Sequence, residues 1–286
     1  MSVKIITESV ADLRPELAKK WDVEVLPLMI RIGDRDYVDG VELTPNRFYE
    51  LMIEVDELPK TSQVPPIMYE EAVDKALGNG DEVVIISISS HLSGCCRNAM
   101  MVASEHEGQV YAVDSLSGSI GMLCLIDLAV RLRDEGKSAK EIYDILEEKK
   151  RELNVIFLLD TLDYVQKGGR ISKTTALAGR LLGIKPVIGV DDGKIAILGR
   201  ARGSKSGCNM LIDSVLKNGG IDFKMPIYFG YSGLTDIKLK KYIEDSKPLY
   251  EHKVDGEFNI VQLGSTIGTY SGPGAIGFAY FGRKMK

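Results

Sequence analysis

Glu82-Val83-Val84-Ile85-Ile86-Ser87-Ile88-Ser89-Ser90-His91-Leu92-Ser93-Gly94 is the stretch whose reading decides the fold. Val83–Ile86 is an unbroken β-branched run, so Glu82–Ile88 reads as a strand covered on both faces, with Asn79-Gly80 turning the chain into it. The hydroxyl-rich half that follows leads into an amphipathic helix over about Gly94–His106. Strand, polar loop and helix in that order make a βα unit of an open parallel sheet, and ligands of such sheets sit beyond the carboxyl ends of the strands. A helix start at that point offers free N–H groups and a positive dipole end to an anion. Ser93 would add a hydroxyl there, and Gly94 would leave room for a ligand against the backbone. The plainer reading is that Ser93 only caps the helix.

Working outward, the same alternation recurs. Val3–Ile6 is a second β-branched run, after which Asp12 is placed to cap a helix through about Trp21. Glu24–Ile32 reads as one strand, turned by Gly33-Asp34 into Tyr37-Val38. Thr44-Pro45 is a helix start leading into Arg47–Glu54. Leu58–Pro66 reads as non-helical and carries a second hydroxyl cluster, Lys60-Thr61-Ser62-Gln63, before a helix over Ile67–Leu77. Downstream come a strand at Gln109–Val113, a helix at about Ser119–Glu135, and a capping box, Ser138 with Glu141, opening a helix to about Leu153. From Asn154, strands at Val155–Leu159, Lys185–Val190, Lys194–Leu198 and Pro226–Tyr231 alternate with helices near Lys173–Leu182, Lys205–Asn218 and Leu234–Asp245. Asp192-Gly193 suits a hairpin turn between two of them. The fold class is α/β, with two α/β domains over residues 1–153 and 154–286.

Composition narrows the function. The 286 residues are 44% hydrophobic, and 36 Lys and Arg against 41 Asp and Glu give a net charge of −5. Non-specific nucleic-acid binding needs a surplus of cations to displace counterions, so that class is disfavoured. No apolar run is long enough to cross a bilayer as a helix, and the amino terminus runs into a strand pattern without the apolar core of a signal peptide. Cys95, Cys96, Cys124 and Cys208 form no C-x-x-C pair, and His91, His106 and His252 lack metal-ligand spacing. The expectation is a cytoplasmic, reduced, metal-free protein.

Other motifs weigh less. A nucleophilic Ser93 would need G-x-S-x-G, but His91 stands where the first glycine belongs and no third triad member is evident. Lys60-Thr61-Ser62-Gln63 alone reads as backbone caps; paired with Ser93 it becomes a cradle for a carboxylate or phosphate. Gly168-Gly169-Arg170 and Arg200-Ala201-Arg202 could each hold an anion, or could be solvated charges beside turns. Gly272-Pro273-Gly274-Ala275-Ile276-Gly277 matches G-x-G-x-x-G, but too few residues follow to build a crossover helix and return strand.

Taken together, Ile6-Thr7-Glu8-Ser9-Val10-Ala11-Asp12, Val25-Leu26-Pro27-Leu28, Lys60-Thr61-Ser62-Gln63, Ser89–Gly94, Val113-Asp114-Ser115, Lys167–Ile171, Ile184-Lys185-Pro186, Arg200-Ala201-Arg202 and Gly272–Gly277 resemble, in order and spacing, the motifs of the DegV family. The resemblance spans nearly the whole chain. It implies two α/β domains with a fatty acid held between them, and similarity to FakB proteins, the acyl-carrying subunits of bacterial fatty acid kinase. By resemblance, Thr61 and Ser93 would bond the fatty-acid carboxylate, with the backbone near Ser62 and Gly94 assisting. Arg170 and Arg202 would belong to a basic region around the head group and the kinase-facing surface. The chain would be a carrier without catalysis or cofactor of its own, its partner a separate ATP-binding kinase subunit serving phospholipid synthesis. Two positions depart from the family pattern. Tyr270 stands where many members carry His, so the head group loses a residue that can become cationic. Glu8 stands where Asp is usual. A lipid-responsive regulatory protein and a Ser93-dependent hydrolase are the alternative readings.

Overall fold

The two β-branched runs of the first half lie side by side. In the structure, a computed structural model that describes residues 2–55, 57–172, 183–250 and 258–282, β1 (Val3–Glu8) pairs in parallel with β6 (Glu82–Ser87), Ile5 opposite Val84. β2 (Val23–Leu26) and β7 (Val110–Asp114) flank them, giving a four-stranded parallel sheet in the order β2-β1-β6-β7. Val83 to Ser87 are wholly buried because helices cover both faces: α3 (Pro66–Gly78) with α4 (Cys95–Ser104), and α5 (Ile120–Asp134) with α6 (Ala139–Lys149). Strand order reverses between β1 and β6, which places the topological switch point beside Glu8 and Ile88.

Two caps form as expected. Thr44 accepts from Arg47 N at the start of α2 (Pro45–Glu54), and Ser138 and Glu141 close a capping box on α6. Asp12 does not cap. Its backbone is left-handed (φ 55°) at the end of a 3-10 turn, and α1 (Pro15–Trp21) starts later, at a proline already fixed in helical φ. The single strand expected over Glu24–Ile32 breaks at Pro27, whose missing N–H cannot serve a ladder. After it the chain leaves the first sheet and enters a three-stranded antiparallel one: β3 (Met29–Ile32), β4 (Arg35–Val38) and β5 (Lys60–Ser62), in the order β4-β3-β5. β5 lies in the stretch read as irregular. This small sheet buries Ile30 and Ile32 against Leu43, Phe48 and Tyr49.

The second half is less parallel than its alternation suggested. β8 (Leu153–Leu158), β9 (Ile184–Asp191), β10 (Lys194–Arg202), β11 (Tyr228–Tyr231), β12 (Ile260–Gln262) and β13 (Ile276–Phe281) form one sheet in the order β10-β9-β8-β13-β11-β12. Every pairing is antiparallel except β11 with β12. The β9–β10 turn has Asp192 and Gly193 both at positive φ (44° and 78°), the geometry expected of Asp-Gly. α8 (Gly203–Lys217) and α9 (Ile237–Asp245) pack on one face of this sheet. The other face meets α5, which also touches β1 and β6. Twelve of the fifteen α5 residues are therefore buried. The expected helix Lys173–Leu182 lies outside the described residues.

Candidate functional site

Where the switch point of the first sheet faces the second, an apolar cavity opens. Val10 and Ile88 lie just past the ends of β1 and β6, and Val155, Phe157 and Leu159 run along β8 and just past its end. Side chains alternate along a strand, so these three face the cavity while Ile156 and Leu158 pack under α8. Ile188, Val190 and Ile195 of the β9–β10 hairpin form a third wall. About 110 Å³ is open to the centres of water-sized molecules, and the space between the lining atoms, counting the open mouth, is about 760 Å³.

The polar members of the wall include Arg170, from the turn after α7 (Asp163–Lys167), and Tyr270, from α10 (Ser265–Ser271). The Tyr270 hydroxyl lies 2.6 Å from Thr61 Oγ1 on β5. The Arg170 guanidinium sits 4.4 Å above the centre of the Tyr270 ring and donates to the carbonyls of Gly168 (2.6 Å) and Leu92 (3.3 Å). A methyl group at Gly168 would overlap the Tyr270 ring, so glycine is needed there for close approach. Thr61, Tyr270 and Arg170 thus meet, and through Leu92 they adjoin the Ser93–Gly94 loop.

The remaining expected residues lie around this group. Ser93 Oγ accepts from Cys95 N at 3.2 Å, bracing the first turn of α4, and no histidine bonds it among the described residues. Ser62 is exposed at the end of β5. Gly94 faces the exposed Gln63 side chain, which occupies the space a Cβ would need. Arg202 does not join the cluster: it is exposed opposite Ile184, at the end of the β9–β10 ribbon away from the hairpin turn.

Sequence reading missed a set of buried carboxylates beneath the cavity. Asp12 accepts from Ser119 Oγ (2.5 Å) and Gly264 N (2.7 Å), and Asp39 accepts from Thr266 Oγ1 (2.7 Å) and Ser9 Oγ (2.9 Å). Ser119 and Thr266 line the cavity, so the two carboxylates hold its wall and the start of α10 from behind. Burial pushes the Asp12 carboxyl up to about 7 and raises Asp39 as well. Glu8, raised by burial too, accepts from Tyr69 OH (2.7 Å) and Ile88 N (3.0 Å), fixing the strand end that enters the cavity. The available signal was an acidic residue closing a mostly apolar strand, as Glu8 closes Val3–Thr7. Among the described residues no cluster of His, Cys, Asp or Glu is placed to hold a metal ion, and no helix is long and apolar enough to cross a membrane.

Residues 2–283 match the family described as "Uncharacterised protein, DegV family". The chain belongs to the DegV family. A DegV domain-containing protein of Clostridium acetobutylicum is 32% identical over 279 residues, covering 96% of both chains. Among solved structures, a fatty-acid-binding DegV family protein of Thermus thermophilus is 30% identical with a TM-score of 0.88, covering 99% of this chain and 100% of that one. A stearic acid-binding protein of Eubacterium ventriosum is 26% identical with a TM-score of 0.82, over 99% and 98%. DegV of Bacillus subtilis, a fatty acid binding protein, is likewise 26% identical with a TM-score of 0.82, over 99% and 100%.

Proposed function

We propose that this DegV protein holds a long-chain fatty acid in the cavity between its two main sheets and presents the carboxylate, at the Thr61–Tyr270–Arg170 end, to a separate ATP-dependent kinase subunit. The observation that carries the reading is one apolar cavity adjoining one cluster of hydroxyls and a guanidinium. About fourteen buried methylenes at about 0.8 kcal/mol each give on the order of 11 kcal/mol gross, from which association and ordering remove several. Head-group bonds add about 1.5–3 kcal/mol each when charge-assisted. The tail therefore supplies most of the affinity, and the polar cluster decides which end faces out.

Tyr270 fits a carboxylate without an imidazole. Its hydroxyl and that of Thr61 carry two hydrogens between them; one bridges the pair and the other is free to donate outward. Positive charge comes from the Arg170 guanidinium, which lines the same cavity. Ser93 and the backbone at Ser62 and Gly94 complete the head-group site, and Arg202 serves the kinase-facing surface. On this reading the protein works in the cytoplasm, where its four thiols, unbridged in the structure, stay reduced.

A second reading, a lipid-responsive regulator, is favoured by Tyr270 itself, because a phenol tied to Thr61 cannot carry the positive charge that an imidazole would bring to the carboxylate. Native mass spectrometry of freshly purified protein followed by lipid extraction tests the shared part. A one-to-one adduct released as a long-chain fatty acid is expected. An apo mass that stays unchanged after oleate or palmitate is added would remove both readings. Adding a kinase subunit and ATP separates them: acyl phosphate forms only if the protein is a carrier.

A further inference from the structure

Gln63 is held beside the head-group site by its neighbours. Val64 N donates to Cys95 Sγ at 3.3 Å, and Asn98 Nδ2 donates to Val64 O at 2.9 Å, so the chain just after β5 is fastened twice to α4. From there the Gln63 side chain turns back over Gly94. A methyl group at Gly94 would overlap the Gln63 amide oxygen, with the amide carbon at 3.0 Å and Nε2 at 3.6 Å. Gly94 has φ −74°, which any residue adopts, so what crowds this position is the movable end of the Gln63 side chain and not the backbone. Among the described residues the exposed Gln63 side chain has no hydrogen-bond partner. A neutral oxygen acceptor therefore rests at the start of a ten-residue helix, where the dipole favours an anionic oxygen.

We propose that Gln63 is a specificity-determining residue of the head-group site, its amide standing over Gly94 in the place a ligand carboxylate oxygen takes and yielding that place when the ligand enters. This rests on the fatty-acid reading above. Being neutral and unbonded, the amide leaves readily. A carboxylate at the same position would not, because the helix start and the nearby Arg170 would hold it, and it would repel an ionised ligand while tolerating a neutral head of the same chain length.

The test compares delipidated wild type, Gln63→Ala and Gln63→Glu with oleate and with oleyl alcohol at pH 8, by displacement of a fluorescent fatty-acid analogue. Gln63→Ala is expected to speed oleate uptake about threefold, since no placeholder need leave. Gln63→Glu is expected to weaken oleate about tenfold while changing the alcohol by less than about twofold. Equal losses for acid and alcohol in Gln63→Glu, or unchanged uptake in Gln63→Ala, overturn the proposal and leave the fatty-acid reading standing. Wild type that takes up neither ligand overturns the fatty-acid reading itself.

Discussion

The hydroxyls of Thr61 and Tyr270 lie 2.6 Å apart although 209 residues separate them in the chain. Thr61 belongs to the small antiparallel sheet and Tyr270 to α10, so this bond joins two elements that would contribute different walls of the proposed head-group site. Tyr270→Phe keeps the ring under Arg170 and removes only the bond. Oleate affinity should fall about three- to tenfold, the effect of one hydrogen bond of about 1 kcal/mol. Titration calorimetry on delipidated protein reads the change, and an affinity equal to wild type would show that the Tyr270 hydroxyl does not serve the head group.

Ser93→Ala and Ile195→Trp should fail differently. Ser93 braces the first turn of α4, while Ile195 faces the cavity. The serine variant should retain co-purified lipid within about threefold yet lose carboxylate presentation to a kinase subunit about tenfold or more. The tryptophan variant should lose the lipid, because it fills the volume the acyl chain needs. Equal lipid loss in both would contradict the division between tail and head.

The buried acids predict the pH dependence of stability. Asp12 is pushed up to about 7 in the folded chain, against an ordinary value near 3.8, so between about pH 4 and pH 7 the native state holds a proton that the unfolded chain has released. Stability is then greatest at the acid end of that window and falls as pH rises, by up to about 1.4 kcal/mol per pH unit for one such group. Glu8 and Asp39, raised in the same direction by burial, add to the slope. Urea unfolding at pH 5 and pH 8 checks the sign, and Asp12→Asn should flatten the difference between them.

Ser89 predicts how the hairpin wall is held. Its hydroxyl donates to Gly193 O at 2.7 Å at the β9–β10 turn. Ser89→Ala leaves that buried carbonyl unpaired and should cost about 1–3 kcal/mol. Faster amide exchange confined to the β9–β10 hairpin would place the loss there; a uniform increase across the chain would not.

Legibility in the sequence followed locality. Val83–Ile86, Thr44-Pro45, Ser138 with Glu141, and Asp192-Gly193 are short-range signals, and each produced its element. Pro27 was visible, but the run around it looked continuous because burial on both sides of the break favours the same residue types. β12, α10 and β13 went unread between residues 258 and 282, where Gly-rich segments are ordered by long-range pairing of β13 with β8 and β11. Thr61, Ser93 and Arg170 were legible from local patterns as candidate anion-binding groups, and Tyr270 only through resemblance; no local pattern states that a β5 threonine meets an α10 tyrosine. Asp12 was legible as a polar residue near a helix start, yet its partners, Ser119 and Gly264, are fixed by tertiary packing.

The position of α5 has one more consequence. A helix roofed by a different sheet on each side cannot be assigned to either half for the purpose of folding. A chain ending near residue 153 would leave the α5 face that meets β8, β11 and β13 bare to water, and a chain beginning there would leave those strands uncovered. Each fragment would be sticky, and mixing the two should restore a soluble particle more readily than either forms alone. The intact chain, with α5 as its shared keystone, should melt in a single transition with both sheets lost together.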